Sequence, residues 1–156
     1  MTNQKLISKD DIIKNSLKKK VIGIGETGLD FYHSQQFKKE QYLSFENHIE
    51  ASIDVNLPLI IHQRNSEKEI IDVLNNYQKQ YNLKVVFHCF TGSNTLKNFC
   101  LDNNYYVSLS GIVTFKNASE LRKVIKDVPL SSILVETDSP FLTPVPFRGK
   151  QNEPSF

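Results

Sequence analysis

Apolar runs alternate along this chain with segments whose apolar positions recur at helical spacing. The runs are Val21-Ile-Gly-Ile-Gly-Glu26, Pro58-Leu-Ile-Ile-His62, Lys84-Val-Val-Phe-His88, Tyr105-Tyr-Val-Ser-Leu-Ser-Gly111 and Ile133-Leu-Val-Glu-Thr-Asp138. A parallel strand buried on both faces reads as such a continuous run rather than as an alternating one. Between the runs, residues 35–56 carry Tyr42, Phe45, Ile49 and Ile53 at three- and four-residue spacing, the mark of one buried helix face. The next segment opens on Ser66-Glu-Lys-Glu69, which reads as a capping box, with Ile70, Leu74, Tyr77 and Tyr81 on one face. A shorter helix follows Ser93. Another starts at Asn117 with Glu120 three residues on, presents Leu121, Val124, Ile125 and Val128, and is stopped by Pro129. Ahead of all of these, Ser8 to Lys20 reads as a capped amphipathic helix.

The order is a helix followed by five strands alternating with helices, with no Pro/Gly/Ser linker, so residues 1–156 are expected to form one α/β domain. A (β/α)8 barrel of about 250 residues spends roughly 31 on each βα unit, so this length holds about five of eight. On pattern alone, an open doubly wound sheet is an equal alternative.

Composition narrows the partners. At 39% hydrophobic, with 10 Phe and 6 Tyr, the chain can build a sizeable core. Lys+Arg of 19 against Asp+Glu of 17 leaves a net charge of +2, which gives no global electrostatic drive toward a polyanion, so any such binding is local. Cys89 and Cys100 lack the spacing of a disulfide framework or a zinc knuckle, as suits a reducing cytosol. No apolar run approaches the roughly 20 residues that cross a bilayer, and the first residues lack a signal-peptide core, so a cytoplasmic chain without a membrane partner is expected.

Four of the runs end on side chains that hold metals. Glu26 follows small and apolar residues, where an unpaired carboxylate is costly; alone, it would more often be the salt-bridge partner of a Lys or Arg. His62 and His88 each end a strand, where a single His is usually a hydrogen-bonded core or loop residue. Asp138 is the fourth. Alternation puts Glu136 on the same face as Asp138, as a group that supports a ligand or is paired in the core, and turns Cys89 away from the face of His88 toward packing. Four such groups in the same relative place on four strands are hard to obtain from packing needs. They are expected to converge at the carboxyl ends of adjacent strands, where such folds gather their ligands. Mixed imidazole and carboxylate ligands suit Mg²⁺, Mn²⁺ or Zn²⁺, and a pair of ions activates water against a phosphoryl centre. Asp138 could hold a metal or take a proton from the water. No phosphate-binding Gly-x-x-x-x-Gly-Lys loop is present. Gly23-Ile-Gly25-Glu-Thr-Gly28 matches a dinucleotide fingerprint in spacing only, without the acidic partner at the expected distance.

Gly25-Glu-Thr-Gly-Leu-Asp30, Pro58-Leu-Ile-Ile-His62-Gln-Arg64, His88-Cys-Phe-Thr-Gly92, Ser110-Gly-Ile-Val-Thr-Phe-Lys-Asn117, Glu136-Thr-Asp-Ser-Pro140 and Pro146-Phe-Arg-Gly-Lys-Gln-Asn-Glu-Pro154 together resemble the TatD family of metal-dependent deoxyribonucleases. The resemblance runs from about Lys20 to the last residue. It implies a TIM-barrel hydrolase of the amidohydrolase-like type that cleaves DNA phosphodiesters with divalent metals, two in the complete enzyme. It makes Glu26 the carboxylate at the metal centre, His62 and His88 imidazole ligands, and Asp138 the metal-binding, water-orienting acid, with Asp138 and Glu26 catalytic. Arg64, Arg148 and Lys150 would face phosphate.

The family's first strand carries a His-x-His-x-Asp motif that is absent here, where the histidines are His33, His48, His62 and His88. His33 reads as a loop residue near Asp30, and His48 as a surface or packing residue of a helix. The expected fold is therefore an incomplete (β/α)8 TIM barrel lacking the first three strands and the closing helix. Such a chain is expected to hold metal loosely, with affinity falling below about pH 6.5 as its imidazoles protonate. It should associate through unpaired edges at Val21 to Glu26 and Ile133 to Asp138 and be inactive on DNA until a complementing N-terminal segment is supplied. The rival readings are an inactive remnant with weak metal or DNA binding, and an amidohydrolase-like enzyme acting on another small substrate.

Overall fold

In the computed structural model, which describes residues 6–32 and 36–156, five strands alternate with five α-helices. These are α1 (Lys9–Ser16), β1 (Ile24–Asp30), α2 (Lys38–Val55), β2 (Leu59–Arg64), α3 (Glu67–Gln78), β3 (Val85–Phe87), α4 (Asn94–Asp102), β4 (Tyr106–Leu109), α5 (Ser119–Ile125) and β5 (Ile133–Val135). His33, read as a loop residue, lies outside the described residues. The backbone divides into two compact units, one ending at Val85 and the other spanning Val86–Phe156.

In the first unit, Ser8 caps α1 by accepting the Asp11 N–H at 3.2 Å, and the helix ends at Ser16, one turn short of the expected Lys20. Helix α1 packs on α2, where the Lys9 ammonium reaches Asp54 at 2.8 Å and Glu50 at 3.4 Å. Phe45 and Ile49 supply the buried face that the sequence spacing requires, joined by Ala51 and Ser52. Asn56 then closes α2 in the left-handed conformation, φ 54°, a role its short polar side chain tolerates.

Strand β1 departs from its expected limits at both ends. Val21 and Ile22 precede it and are exposed, and the strand continues past Glu26 to Asp30. It pairs with β2 in parallel, and the register shifts between Ile24 and Thr27 before settling into Gly28↔His62 and Asp30↔Arg64. Gly28 makes the continuation possible: its φ is 140°, and a Cβ there would stand 2.0 Å from the His62 carbonyl oxygen. Ser66 is buried and donates its hydroxyl to the Leu29 carbonyl at 2.6 Å rather than closing a capping box, because that carbonyl beside the strand needs a donor. Ile70, Val73 and Leu74 form the buried face of α3, while Tyr81 lies beyond its end and is exposed.

In the second unit, β3 pairs with β4 (Phe87↔Val107) and β4 with β5 (Leu109↔Val135), all in parallel. Ser93 caps α4 through the Thr95 N–H, and Leu96 and Cys100 are buried beneath it. Helix α5 begins at Ser119 after a short 3-10 turn, so Ala118 rather than Asn117 occupies the cap position; Val124 and Val128 are buried as expected. Leu134 and Val135 of β5 are exposed. No helix among the described residues is long and apolar enough to cross a membrane.

Two tyrosines report on the packing. Burial, with Glu50 and Glu46 nearby, pushes the Tyr77 phenol up to about 12, and burial pushes Tyr105 higher still. Groups whose folded pKa is raised contribute stability that is present below their ordinary pKa of about 10 and is lost as pH rises through the folded value. In an ultraviolet tyrosinate titration, Tyr77→Phe and Tyr105→Phe should each remove amplitude only from the late alkaline phase, and stability should decline from about pH 10 upward. Loss of amplitude from the early phase in both variants would contradict this packing.

Candidate metal centre

The first unit brings three ionisable side chains together across one strand pair. Glu26 and Asp30 lie on β1, and His62 on β2 has Gly28 as its register partner, midway between the two carboxylates. With no side chain at Gly28, the imidazole meets both: Nδ1 is 3.1 Å from Glu26 Oε1, and Nε2 is 3.4 Å from Asp30 Oδ2. Glu26 lies within the strand at the register shift, and its side chain is 56% exposed, so desolvation does not drive its pairing as the sequence suggested. The imidazole does.

Asp30 was missed as a site residue. Its place four residues after Glu26 in an extended strand was the available signal, since alternation returns such residues to one face. The Gln41 side chain fixes its backbone, accepting from the Asp30 N–H at 2.8 Å and donating to its carbonyl at 3.0 Å. Asp30 Oδ1 accepts the Tyr32 N–H, and the Arg64 guanidinium lies 3.7 Å from the Tyr32 ring centroid.

The second unit holds another group of three. His88 directly follows β3, while Glu136 and Asp138 follow β5. His88, Glu136 and Asp138 each offer one ligand atom within 4.8 Å of the others. His88 Nδ1 is 3.2 Å from Glu136 Oε1, with side chains only 14% and 22% exposed. Burial pushes the Glu136 carboxyl up, but its hydrogen bonds with His88, the Ser108 hydroxyl and the Cys89 N–H outweigh it and hold the group below the usual carboxylate range.

Asp138 is held by its loop. It has a left-handed φ of 57°, its carbonyl accepts the Phe141 N–H, and Asn152 brackets the segment around it. The buried Asn152 amide donates to the Thr137 and Phe141 carbonyls, both at 2.7 Å, and its own N–H bonds to the Pro140 carbonyl. Nothing in the hydrophobic pattern singles out Asn152, because its role depends on a turn that only the folded chain creates.

The remaining candidates are placed as follows. Cys89 has left the strand with φ 46°, so strand alternation does not set its direction; its sulfur lies 3.2 Å from Ser110 Oγ. Neither cysteine is in a disulfide. The Arg148 guanidinium lies 3.9 Å from the Phe115 ring and also donates to the Thr143 carbonyl, and the Lys150 ammonium is 5.4 Å from the Phe147 ring. His48 bonds to the Ser44 carbonyl one turn back in α2, as a packing residue does.

Imidazole nitrogens beside carboxylate oxygens are the donors that hard and borderline divalent cations take, and His88, Glu136 and Asp138 of the second unit lie close enough together to fit such an ion. A family profile described as "TatD related DNase" matches residues 3–156. The chain belongs to the TatD family. Among its relatives are uncharacterized metal-dependent hydrolases of Buchnera aphidicola, 44% identical over 94% of this chain and 55% of the relative, and of Bacillus subtilis (YabD), 43% identical over 90% and 55%. The crystal structure of YjjV, a TatD homologue from Escherichia coli, superposes with a TM-score of 0.82 at 28% identity, covering 94% of this chain and 56% of that one. A Campylobacter jejuni dihydroorotase shares the fold at a TM-score of 0.52 and 20% identity. The fold is thus that of TatD and amidohydrolase-type TIM barrels, of which this chain carries five strands, the first four each followed by an α-helix. It spans about half the length of the curated relatives it matches.

If Asn152 holds the Asp138 loop, Asn152→Ala should lower stability by about 1–3 kcal/mol through two lost buried hydrogen bonds and the carbonyls they leave unsatisfied. Urea unfolding of the variant checks this. A change within about 0.5 kcal/mol, the range of an ordinary surface substitution, would show that the loop is held by other means.

Proposed function

We propose that this chain carries the late strands of a TatD hydrolase that cleaves DNA phosphodiester bonds with divalent metal ions, two of them in the complete enzyme, as one partial hydrolase domain working in the cytoplasm. The observation that carries the reading is the gathering of His88, Glu136 and Asp138 behind β3 and β5, with His62 set beside Glu26 and Asp30 on β1 and β2. Two cysteines outside any disulfide suit a reducing compartment.

Bound metal would supply an activated water and neutralise charge on the phosphoryl oxygens. His62 and His88 serve as neutral imidazole ligands, and Glu26 provides carboxylate charge at the centre. Asp138 orients the attacking water and accepts its proton, a role that suits a carboxylate on a loop fixed by Asn152. Arg64, Arg148 and Lys150 present cationic groups to the DNA backbone, with the guanidinium forks able to meet phosphate oxygens in pairs. The complementing partner is an N-terminal segment that carries the family's His-x-His-x-Asp motif.

The test is to assay Mn²⁺- and Mg²⁺-dependent cleavage of fluorescent DNA by the purified chain alone and by the chain co-expressed with a segment bearing the first three strands of a TatD protein. The chain alone should be inactive and associate, and the pair should cleave DNA. Asp138→Asn in the pair should lower the rate by about 10²–10⁴-fold. A folded pair that binds metal but hydrolyses only esters or amides would move the assignment to the small-substrate alternative, and a folded pair inactive on every substrate would favour the remnant.

A further inference from the structure

Two carboxylates, Glu136 and Asp138, stand beside His88 close enough to share a cation with it, but their surroundings differ. Glu136 Oε1 lies 3.2 Å from His88 Nδ1, and the Ser108 hydroxyl on β4 and the backbone N–H of Cys89, the residue next to His88 itself, also hydrogen-bond the carboxylate. Ser108 is buried, and the Glu136 backbone N–H bonds to the Leu109 carbonyl, so the carboxylate is anchored to the same strand that supplies one of its donors. Three partners occupy most of the roughly four lone-pair sites of a carboxylate.

We propose that Glu136 is a positioning residue rather than a metal ligand: by accepting the Nδ1–H of His88, it fixes the imidazole in the tautomer whose Nε2 lone pair is available to a divalent cation, leaving His88 Nε2 and the Asp138 carboxylate as the ligands of this unit. A neutral imidazole carries one N–H, so the nitrogen that donates determines the nitrogen that binds. Carboxylates that hold the second nitrogen of a ligating histidine orient the ring and raise its basicity. The division of labour follows from chain position: Glu136 follows directly on β5, facing inward to Ser108, whereas Asp138 sits on the loop beyond it. What Nε2 is used for rests on the metal-dependent reading; the tautomer itself does not.

The experiment uses the whole chain labelled with 15N-histidine and free of metal, above the ordinary imidazole pKa of about 6.5. Long-range proton–nitrogen spectra read both nitrogens of His88, assigned by their loss in His88→Gln. In the wild type, Nδ1 should be protonated and Nε2 should not. Glu136→Gln should mix the tautomers, and its Mn²⁺ affinity by calorimetry should fall about 10–100-fold. Ser108→Ala should move both readings the same way by less. A wild-type His88 protonated at Nε2 overturns the proposal, and that reading stands even if a variant fails to fold. So does a folded Glu136→Gln chain that keeps the wild-type tautomer, whether it binds Mn²⁺ as well as before or not at all, the latter marking Glu136 as a ligand. If the tautomer shifts as expected while neither the wild type nor any variant binds Mn²⁺, the positioning role is upheld and the metal-dependent reading fails.

Discussion

Each imidazole in the two candidate groups lies against a carboxylate, and the chemistry available to the chain depends on that contact. A histidine beside a strand end can rotate, flip and exchange tautomers, and in that state it is a poor ligand. Against Glu26 and Asp30, His62 has an acid near each nitrogen; against Glu136, His88 has one at Nδ1. His88 meets Glu136 just past the ends of β3 and β5, whereas His62 meets Glu26 and Asp30 within the paired strands β1 and β2. The exposed Glu26 and the half-buried Glu136 show that burial itself is secondary. What recurs is the nitrogen-to-oxygen distance.

Much of the structure serves to keep those acids in place. Gly28 lets β1 run close enough to β2 for His62 to reach both carboxylates, and any Cβ there would collide with the His62 carbonyl. Gln41 ties the Asp30 backbone to α2, so the helix that buries Phe45 and Ile49 also fixes an acid. Ser66 satisfies the Leu29 carbonyl one residue before Asp30. In the second unit, Asn152 brackets the loop of Asp138, and Ser108 anchors Glu136. Polar side chains placed against backbone carbonyls and carboxylates do this work at modest cost, because each bond satisfies a group that would otherwise be buried without a partner.

The alternation of apolar runs with helix-period segments was legible because burial on both faces leaves few polar choices in a parallel strand. All five strands and the helices between them follow from it, as do His62, His88 and Asp138 near the carboxyl ends of strands, whereas Glu26, expected to end a strand, falls inside β1. Less legible were features set by contacts distant in sequence. The register shift that carries β1 on to Asp30 depends on its pairing with β2, and no local pattern announces it. Ser66 had the spacing of a capping box, yet a strand carbonyl thirty-seven residues away in sequence competes for its hydroxyl and wins. Asp30 was visible through alternation from Glu26, whereas Asn152, although inside the last quoted motif, had no role that pattern or spacing could show. Cys89 escaped the alternation argument because its left-handed backbone takes it out of the strand.

The central claim is that these imidazole and carboxylate groups build cation sites rather than simple ion pairs. Anomalous diffraction from crystals of the chain soaked in Mn²⁺ or Zn²⁺ tests it most directly. The account predicts a peak at coordination distance, about 2.0–2.2 Å, from His88 Nε2 and an Asp138 carboxylate oxygen, with Glu136 still on His88 Nδ1. Peaks confined to surface carboxylates elsewhere, with His88 and His62 keeping their contacts to the acids and no ion beside either ring, would contradict it.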